Sequence, residues 1–304
     1  MRLVYYSLAN SPGTGLEQQW IQSIRSLRRY NSNIAVCLFL FNGAAAELLS
    51  EADRHNVRIE FLGDYAGYLQ REHLRGSVLA LYPTFHKFLA LAHNPFSDAN
   101  QVLYLDCDTF FFDDVEVLFE LYAACDWYAR EEPMSRRSHY AYNTAHIDEG
   151  VLEHIALHEG LRPIIPFNSG VCLLNHGVWH ALQRIRIHYL DLAWRLLSGR
   201  ELHGNHGMQH DPQIQAATLE AITDFDRSRM LLYPSANTWI IEQIALWLAL
   251  GHLPQMTQGF LSRDHILQGG EFREVLRPGR RCVLAHYYST LEEDFFSAVS
   301  SLPY

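Results

Sequence analysis

VLYLDCDTFFFDD (102–114) is an apolar run that stops at one carboxylate, passes a cysteine and places a second carboxylate two positions on. Strand side chains at i and i+2 point to the same face, so Asp106 and Asp108 are expected to project together from the strand's C-terminal end. Carboxylates so close repel each other unless a cation sits between them. Three chemistries fit the pattern: a hard-metal site, a phosphatase nucleophile with its general acid, or a strand end with solvated acids.

Upstream, RLVYYSL, a helical pattern near 16–30, IAVCLFLF, a second helical pattern near 43–55 and VRIEFL alternate. This βαβαβ opening predicts a parallel sheet covered by helices. TFHKFLALAHNP then reads as a helix ended by Asn94 and Pro95, and it leads into the strand VLYLD. In open sheets of this kind ligands bind beyond the C-terminal strand ends, which is where the paired acids lie. Downstream, 130–165 is polar and rich in histidine, with a short helix expected near 148–159. PFNSGVCLLN reads as a turn leading into a strand, and 177–198 as a long helix whose aromatic residues face the core. The fold class expected is α/β, a mixed, mostly parallel central sheet flanked by helices, in a single domain over 1–304 with helical decoration.

With 48% apolar residues over 304 positions the chain can bury a substantial core. Its formal net charge of -10, with no polybasic block, argues against nonspecific binding to nucleic acid or anionic membrane. A negatively charged ligand must then be held by local groups or a metal. The five cysteines include no C-x-x-C pair and read as free thiols of a reducing compartment. MRLVYYSLANSPG lacks the features of a signal peptide, and no apolar run approaches the roughly 20 residues that span a bilayer. A cytoplasmic protein without a transmembrane segment is expected.

The metal reading explains both acids with one cause, since Mg²⁺ and Mn²⁺ prefer oxygen ligands and are held by one or two carboxylates plus substrate phosphates. His203, His206 and His210 form an H-x-x-H-x-x-x-H pattern in the loop HGNHGMQHDP (203–212). Without a helix beneath it this spacing fixes no tetrahedral zinc geometry, and it reads as a flexible acceptor loop.

A strand ending D-C-D-T-F-F, with PTFHKF (83–88) before it and FNSGVCLLN (167–175) after it, resembles the GT-A glycosyltransferases, closest in pattern to the glycogenin-like and galactosyltransferase-like group. The resemblance implies a GT-A, Rossmann-like fold whose 1–115 half binds the nucleotide and whose 116–304 half takes the donor sugar and the acceptor. It implies that Asp106 and Asp108 hold a divalent cation, Mn²⁺ or Mg²⁺, that bridges the diphosphate of a sugar nucleotide. Lys87 takes the place of the family's basic residue ahead of the D-x-D strand. Ala9 and Asn10, after the first strand, fall on the donor side with Asp106, and Asn168, Ser169 and Gly170 on the donor-sugar or acceptor side.

In ANTWIIEQIALWLAL, Glu242 and Gln243 resemble the acid–Gln motif whose acid faces the transferred sugar. In VLAHYY, His286 resembles the histidine that completes the metal site. Together these motifs imply transfer of a hexose from a nucleoside-diphosphate sugar, in the first place a UDP-sugar, to a saccharide or other hydroxyl acceptor. Two departures stand out: Glu242 replaces the more usual Asp, and HYYSTLEE replaces the tail H-x-x-G-x-x-K-P-W, with its glycine and lysine contacts to the diphosphate.

Each residue also has a bland reading. Lys87 can be the polar face of its helix, His286 a hydrogen-bonded core histidine, Asn168 and Ser169 turn formers, and Glu242 a helix cap, with Asp211 of HDPQIQ as its rival for the acid's role. Haloacid-dehalogenase-type phosphatases also end a strand in D-x-D, but they continue -x-T or -x-V where this chain has Phe110. A catalytically silent carbohydrate-binding protein of the same fold is the third class.

Overall fold

The computed structural model describes residues 1–9, 13, 15–80, 83–93, 95–131, 156–157, 160–162, 167–175, 177–202, 241–275, 282–288 and 291–300. Asn10, Asp211, His203, His206 and His210 lie outside the described residues, as does most of the short helix expected near 148–159.

β1 (Arg2–Leu8), β2 (Ala35–Phe41), β3 (Arg58–Gly63) and β4 (Gln101–Leu105) lie side by side and parallel in the order β3-β2-β1-β4. This is the sheet that the alternating opening predicts. Its crossovers are α1 (Gly15–Tyr30), between β1 and β2, and α2 (Ala46–Arg54), between β2 and β3. β7 (Phe167–Leu174) continues the sheet beyond β4, followed by β6 (Trp127–Glu131) and β8 (Gln258–Phe260). Among the described strands of this seven-stranded sheet only β7 runs against its neighbours, so the sheet is mixed but mostly parallel.

Strand alternation sorts the core into two layers. Tyr5, Cys37, Phe39, Tyr104 and Cys172 pack with Phe88, Tyr189 and Trp247, from the helices His86–Leu91, Val178–Leu202 and Ile241–Leu250. Val4, Tyr6, Leu38, Leu103 and Leu173 pack on the other face with Trp20 and Ile24 of α1, Leu48 of α2 and Leu118 of the helix Glu116–Leu121. With helices on both faces, Leu3–Tyr6, Val36–Phe41 and Val102–Leu105 are apolar at every position, which is why these strands read as unbroken runs. Ile244 to Leu250 are buried on all sides of their helix, so IALWLAL carries no polar stripe.

A second, three-stranded sheet contains β5 (Thr109–Phe111), β10 (Leu284–His286) and β9 (Ile266–Gln268), with β10 in the middle. Phe110, Phe112, Tyr287 and Phe272 pack there against Phe295 and Phe296 of the helix Glu292–Ser300. The chain therefore leaves the large sheet at Leu105 and enters the small one at Thr109. Asp106 and Asp108 lie in the link between two sheets, and this corrects the expectation that one continuous strand carries both. Among the described residues no helix is long and apolar enough to cross a membrane.

Candidate active site

The link Asp106–Cys107–Asp108 is pinned at each end by backbone hydrogen bonds. The Asp106 N–H donates to the Gly170 carbonyl of β7 at 2.8 Å, and the Tyr287 N–H, just past β10, donates to the Asp108 carbonyl at 3.1 Å. Both carboxylates thereby face the end of β10, where the His286 Nε2 lies 3.2 Å from Asp108 Oδ1 and 3.8 Å from Asp106 Oδ2. One atom from each of the three residues falls within a cluster 4.8 Å across.

Cys107, between the acids, turns into the core, where burial pushes its thiol well above the usual range. The donors left are carboxylate oxygens and one imidazole nitrogen. That set fits Mn²⁺ or Mg²⁺, which favour oxygen, and not a thiolate-seeking metal.

Lys87 enters from the first turn of its helix. Its Nζ donates to Asp106 Oδ2 at 2.7 Å and lies 3.5 Å from Glu242 Oε1. Burial pulls this ammonium's pKa down, but Asp106 and Glu242 outweigh it, and Lys87 is held above its ordinary value as a fixed cation. Glu242 is raised above the ordinary carboxylate value, chiefly by burial; Lys87 opposes the shift and Asp106 adds to it. Its second oxygen, Oε2, is buried with no hydrogen-bond partner among the described residues. A buried carboxylate oxygen of that kind is costly, and it points to a ligand or water that completes it.

The N-S-G stretch is not a turn before the strand: Phe167 to Leu174 are all β7. Ala129 pairs with Cys172 while Arg130 pairs with Asn168, so Ser169, Gly170 and Val171 bulge out opposite one step of β6. Inside the bulge the Gly170 N–H donates to Asn168 Oδ1 at 2.9 Å and the Ser169 N–H to Gln243 Oε1 at 2.7 Å. Gln243 thus ties the acid-bearing helix to the bulge. Position 170 requires glycine, because a Cβ there would lie 2.1 Å from Cε1 of His286. Ala9 is buried just past the end of β1.

Three site residues escaped the sequence reading. The Tyr104 hydroxyl donates to Asp106 Oδ1 at 3.1 Å; Ser7 Oγ lies 3.3 Å from that hydroxyl and 2.7 Å from His86 Nδ1. Burial, assisted by the neighbouring Lys87 charge, lowers the His86 pKa to about 3, so this ring is a neutral partner. Strand parity offered a signal, since Tyr104 precedes Asp106 by two positions. Nothing local marks Ser7 or His86, which meet because the helix His86–Leu91 packs against β1.

A cleft of about 740 Å³ lies at the opposite end of the sheet, lined by Arg2, Asn31, Gln101 and Glu116 among others. Its one close ion pair joins Arg2 to Glu116. Among the described residues the one group of three potential metal ligands lies at the other end, beyond the C-terminal strand ends.

No family model matches this chain, and no curated protein matches it in sequence. Solved structures are similar along nearly its whole length. Mouse xyloside xylosyltransferase 1, in its apo form, is 13% identical, with 95% of this chain and 97% of that one covered and a TM-score of 0.46. The galactosyltransferase LgtC, in complex with donor and acceptor sugar analogues, is 12% identical, with 100% and 97% covered and a TM-score of 0.46. The glycosyltransferase GlyE of Streptococcus pneumoniae TIGR4 is 16% identical over 99% of this chain and 60% of that one, with a TM-score of 0.49. What this chain is similar to, at low identity, is a set of glycosyltransferases.

Proposed function

We propose that this protein is a metal-dependent glycosyltransferase that moves a hexose from a nucleoside-diphosphate sugar, in the first place a UDP-sugar, to a hydroxyl of a saccharide or other acceptor. One observation carries the reading: Lys87, the Asp106–Asp108 link, Glu242 and His286 come from four separate segments and converge beyond the C-terminal end of β4. Three carboxylates around one ammonium leave unbalanced negative charge. Asp106, Asp108 and His286 would hold Mn²⁺ or Mg²⁺ there, and the bound cation supplies charge neutralisation for the departing diphosphate.

The chain's own groups do the rest. Lys87 is a permanent cation whose charge gains most as the leaving group becomes negative, so it stabilises the transition state more than the ground state. Tyr104 and Lys87 take one oxygen of Asp106 each and hold that carboxylate in a single orientation. Glu242 faces the transferred sugar with Oε2, which has no hydrogen-bond partner among the described residues, and stabilises positive charge developing at the anomeric carbon. Asn168, Ser169, Gly170 and Ala9 form walls of the donor site, and Gln243 sets the distance between the bulge and Glu242.

The test is incubation of the full chain with UDP- and GDP-sugars, Mn²⁺ and a panel of acceptors, measuring nucleoside diphosphate release. Release that stops on chelation is the expected result. Hydrolysis of an aryl phosphate instead would turn the site into a phosphatase, and failure to bind any sugar nucleotide by calorimetry would leave neither donor nor transfer.

A further inference from the structure

We propose that Tyr288 is a positioning residue that locks the His286 ring in its metal-facing orientation; this rests on the metal reading above. Tyr288 has a φ of +61°, in the left-handed region that a bulky side chain seldom occupies. Residues held there persist where the surroundings impose the conformation, and such positions cluster at functional sites. Here the imposed conformation has a geometric result. The chain folds back just after β10, and the Tyr288 ring meets the His286 ring edge-on, with centroids 4.8 Å apart and planes at 81°.

Two glycines make room for this pair. Gly170 lies so close to the imidazole that a Cβ would be 2.1 Å from it, and Gly269 lies so close to the phenol ring that a Cβ would be 2.7 Å from Cε2. Gly269 is itself left-handed, with a φ of +53°. The Tyr288 hydroxyl accepts from Gln268 Nε2, at the end of β9, at 2.7 Å and from Asn168 Nδ2, in the β7 bulge, at 3.4 Å. The phenol is thus tied to β9, which pairs with the strand of His286, and to the β7 bulge that lies against the imidazole. With Gly170 against it and the Tyr288 edge packed on it, the imidazole keeps Nε2 turned to Asp108 and Asp106. An outer partner that fixes a ligating ring in this way governs metal affinity without touching the metal.

The experiment titrates Mn²⁺ into the full chain with UDP present, follows free ion by electron paramagnetic resonance, and records the melting temperature alongside. Tyr288→Phe keeps the ring and is expected to bind Mn²⁺ within about 3-fold of wild type, whereas Tyr288→Asn, which accepts left-handed backbone but lacks the ring, should bind about 10-fold more weakly with no fall in melting temperature. Gly269→Ala displaces the ring while Tyr288 remains, and should weaken binding to a similar degree. The inference is overturned if Tyr288→Asn and Gly269→Ala both bind as tightly as wild type while His286→Ala does not bind. A wild type that takes up no Mn²⁺ sinks the metal reading itself, and the role of Tyr288 with it.

Discussion

Asp106 holds two hydrogen bonds before any donor arrives, one from Lys87 and one from Tyr104, while Asp108 points its Oδ1 at His286. The two acids are therefore not equivalent. Asp106→Asn and Asp108→Asn are both expected to lose Mn²⁺-dependent donor binding, measured by calorimetry with UDP and Mn²⁺. Only Asp106→Asn should also lower stability, by about 1–3 kcal/mol, because it leaves a buried ammonium short of its partner. Donor affinity unchanged in both variants would return the pair to a solvated strand end.

Burial works against the charge of Glu242. Its carboxyl is raised above the ordinary value of 4.5, so its contribution to stability is fully present below that pH and is lost as pH rises through the higher folded value. Glu242→Gln is therefore expected to gain on wild type in melting temperature between pH 4 and pH 7, while turnover falls about 100-fold. Asp211→Asn should lose little. A melting difference that does not change with pH removes the buried-charge account, and a dead Asp211→Asn beside an active Glu242→Gln moves the acid to HDPQIQ.

At the scale of elements, the β7 bulge is where the sheet is spent on function. A regular strand through 168–171 would continue the ladder with β6; the bulge instead turns the Asn168 side chain onto the Gly170 N–H and the Tyr288 hydroxyl and brings the Gly170 backbone against His286. Gly170→Ala places a methyl against the imidazole, and either β7 or the ring must move. A destabilisation of about 1–3 kcal/mol by denaturant unfolding is expected, as for other overpacked sites, together with weaker Mn²⁺ uptake. An alanine variant with native stability and native Mn²⁺ affinity would show that the bulge does not set the ring.

Across the whole molecule, the small sheet is what delivers His286 to acids that hang from the large one. The small sheet packs on the large one through Phe111, Ile266 and Leu284, which join the layer of Leu103 and Val171, and beside it lies an aromatic cluster in which Phe295 stacks on Tyr287 at 4.5 Å and packs edge-on against Phe110 and Phe272. Phe295→Ala is expected to cost about 3–5 kcal/mol if the small sheet unfolds together with the large one. A much smaller loss, with hydrogen exchange accelerated only in β9 and β10, would show that the small sheet opens by itself.

Much of this arrangement was determined by the sequence alone. Unbroken apolar runs and the 3.6-residue period of helices are local, so RLVYYSL, IAVCLFLF and VLYLD, alternating with helical patterns, announce a parallel sheet with both faces covered, and D-C-D marks its C-terminal edge. Lys87, Glu242 and His286 were legible as candidates through the order of motifs, and the fold brings them together. The tertiary structure decided what local pattern cannot carry. N-S-G is ordinary turn chemistry in isolation, and only pairing with β6 and β4 makes it a bulge. Asp106 and Asp108 share a face not through strand parity but because the chain changes sheets between them. Ser7, His86 and Tyr104 form one polar chain although they lie up to 97 positions apart, and Tyr288 reaches His286 only through a backbone turn that its own residue type disfavours. Contacts between residues distant in sequence are set by packing and register, which no window along the chain contains.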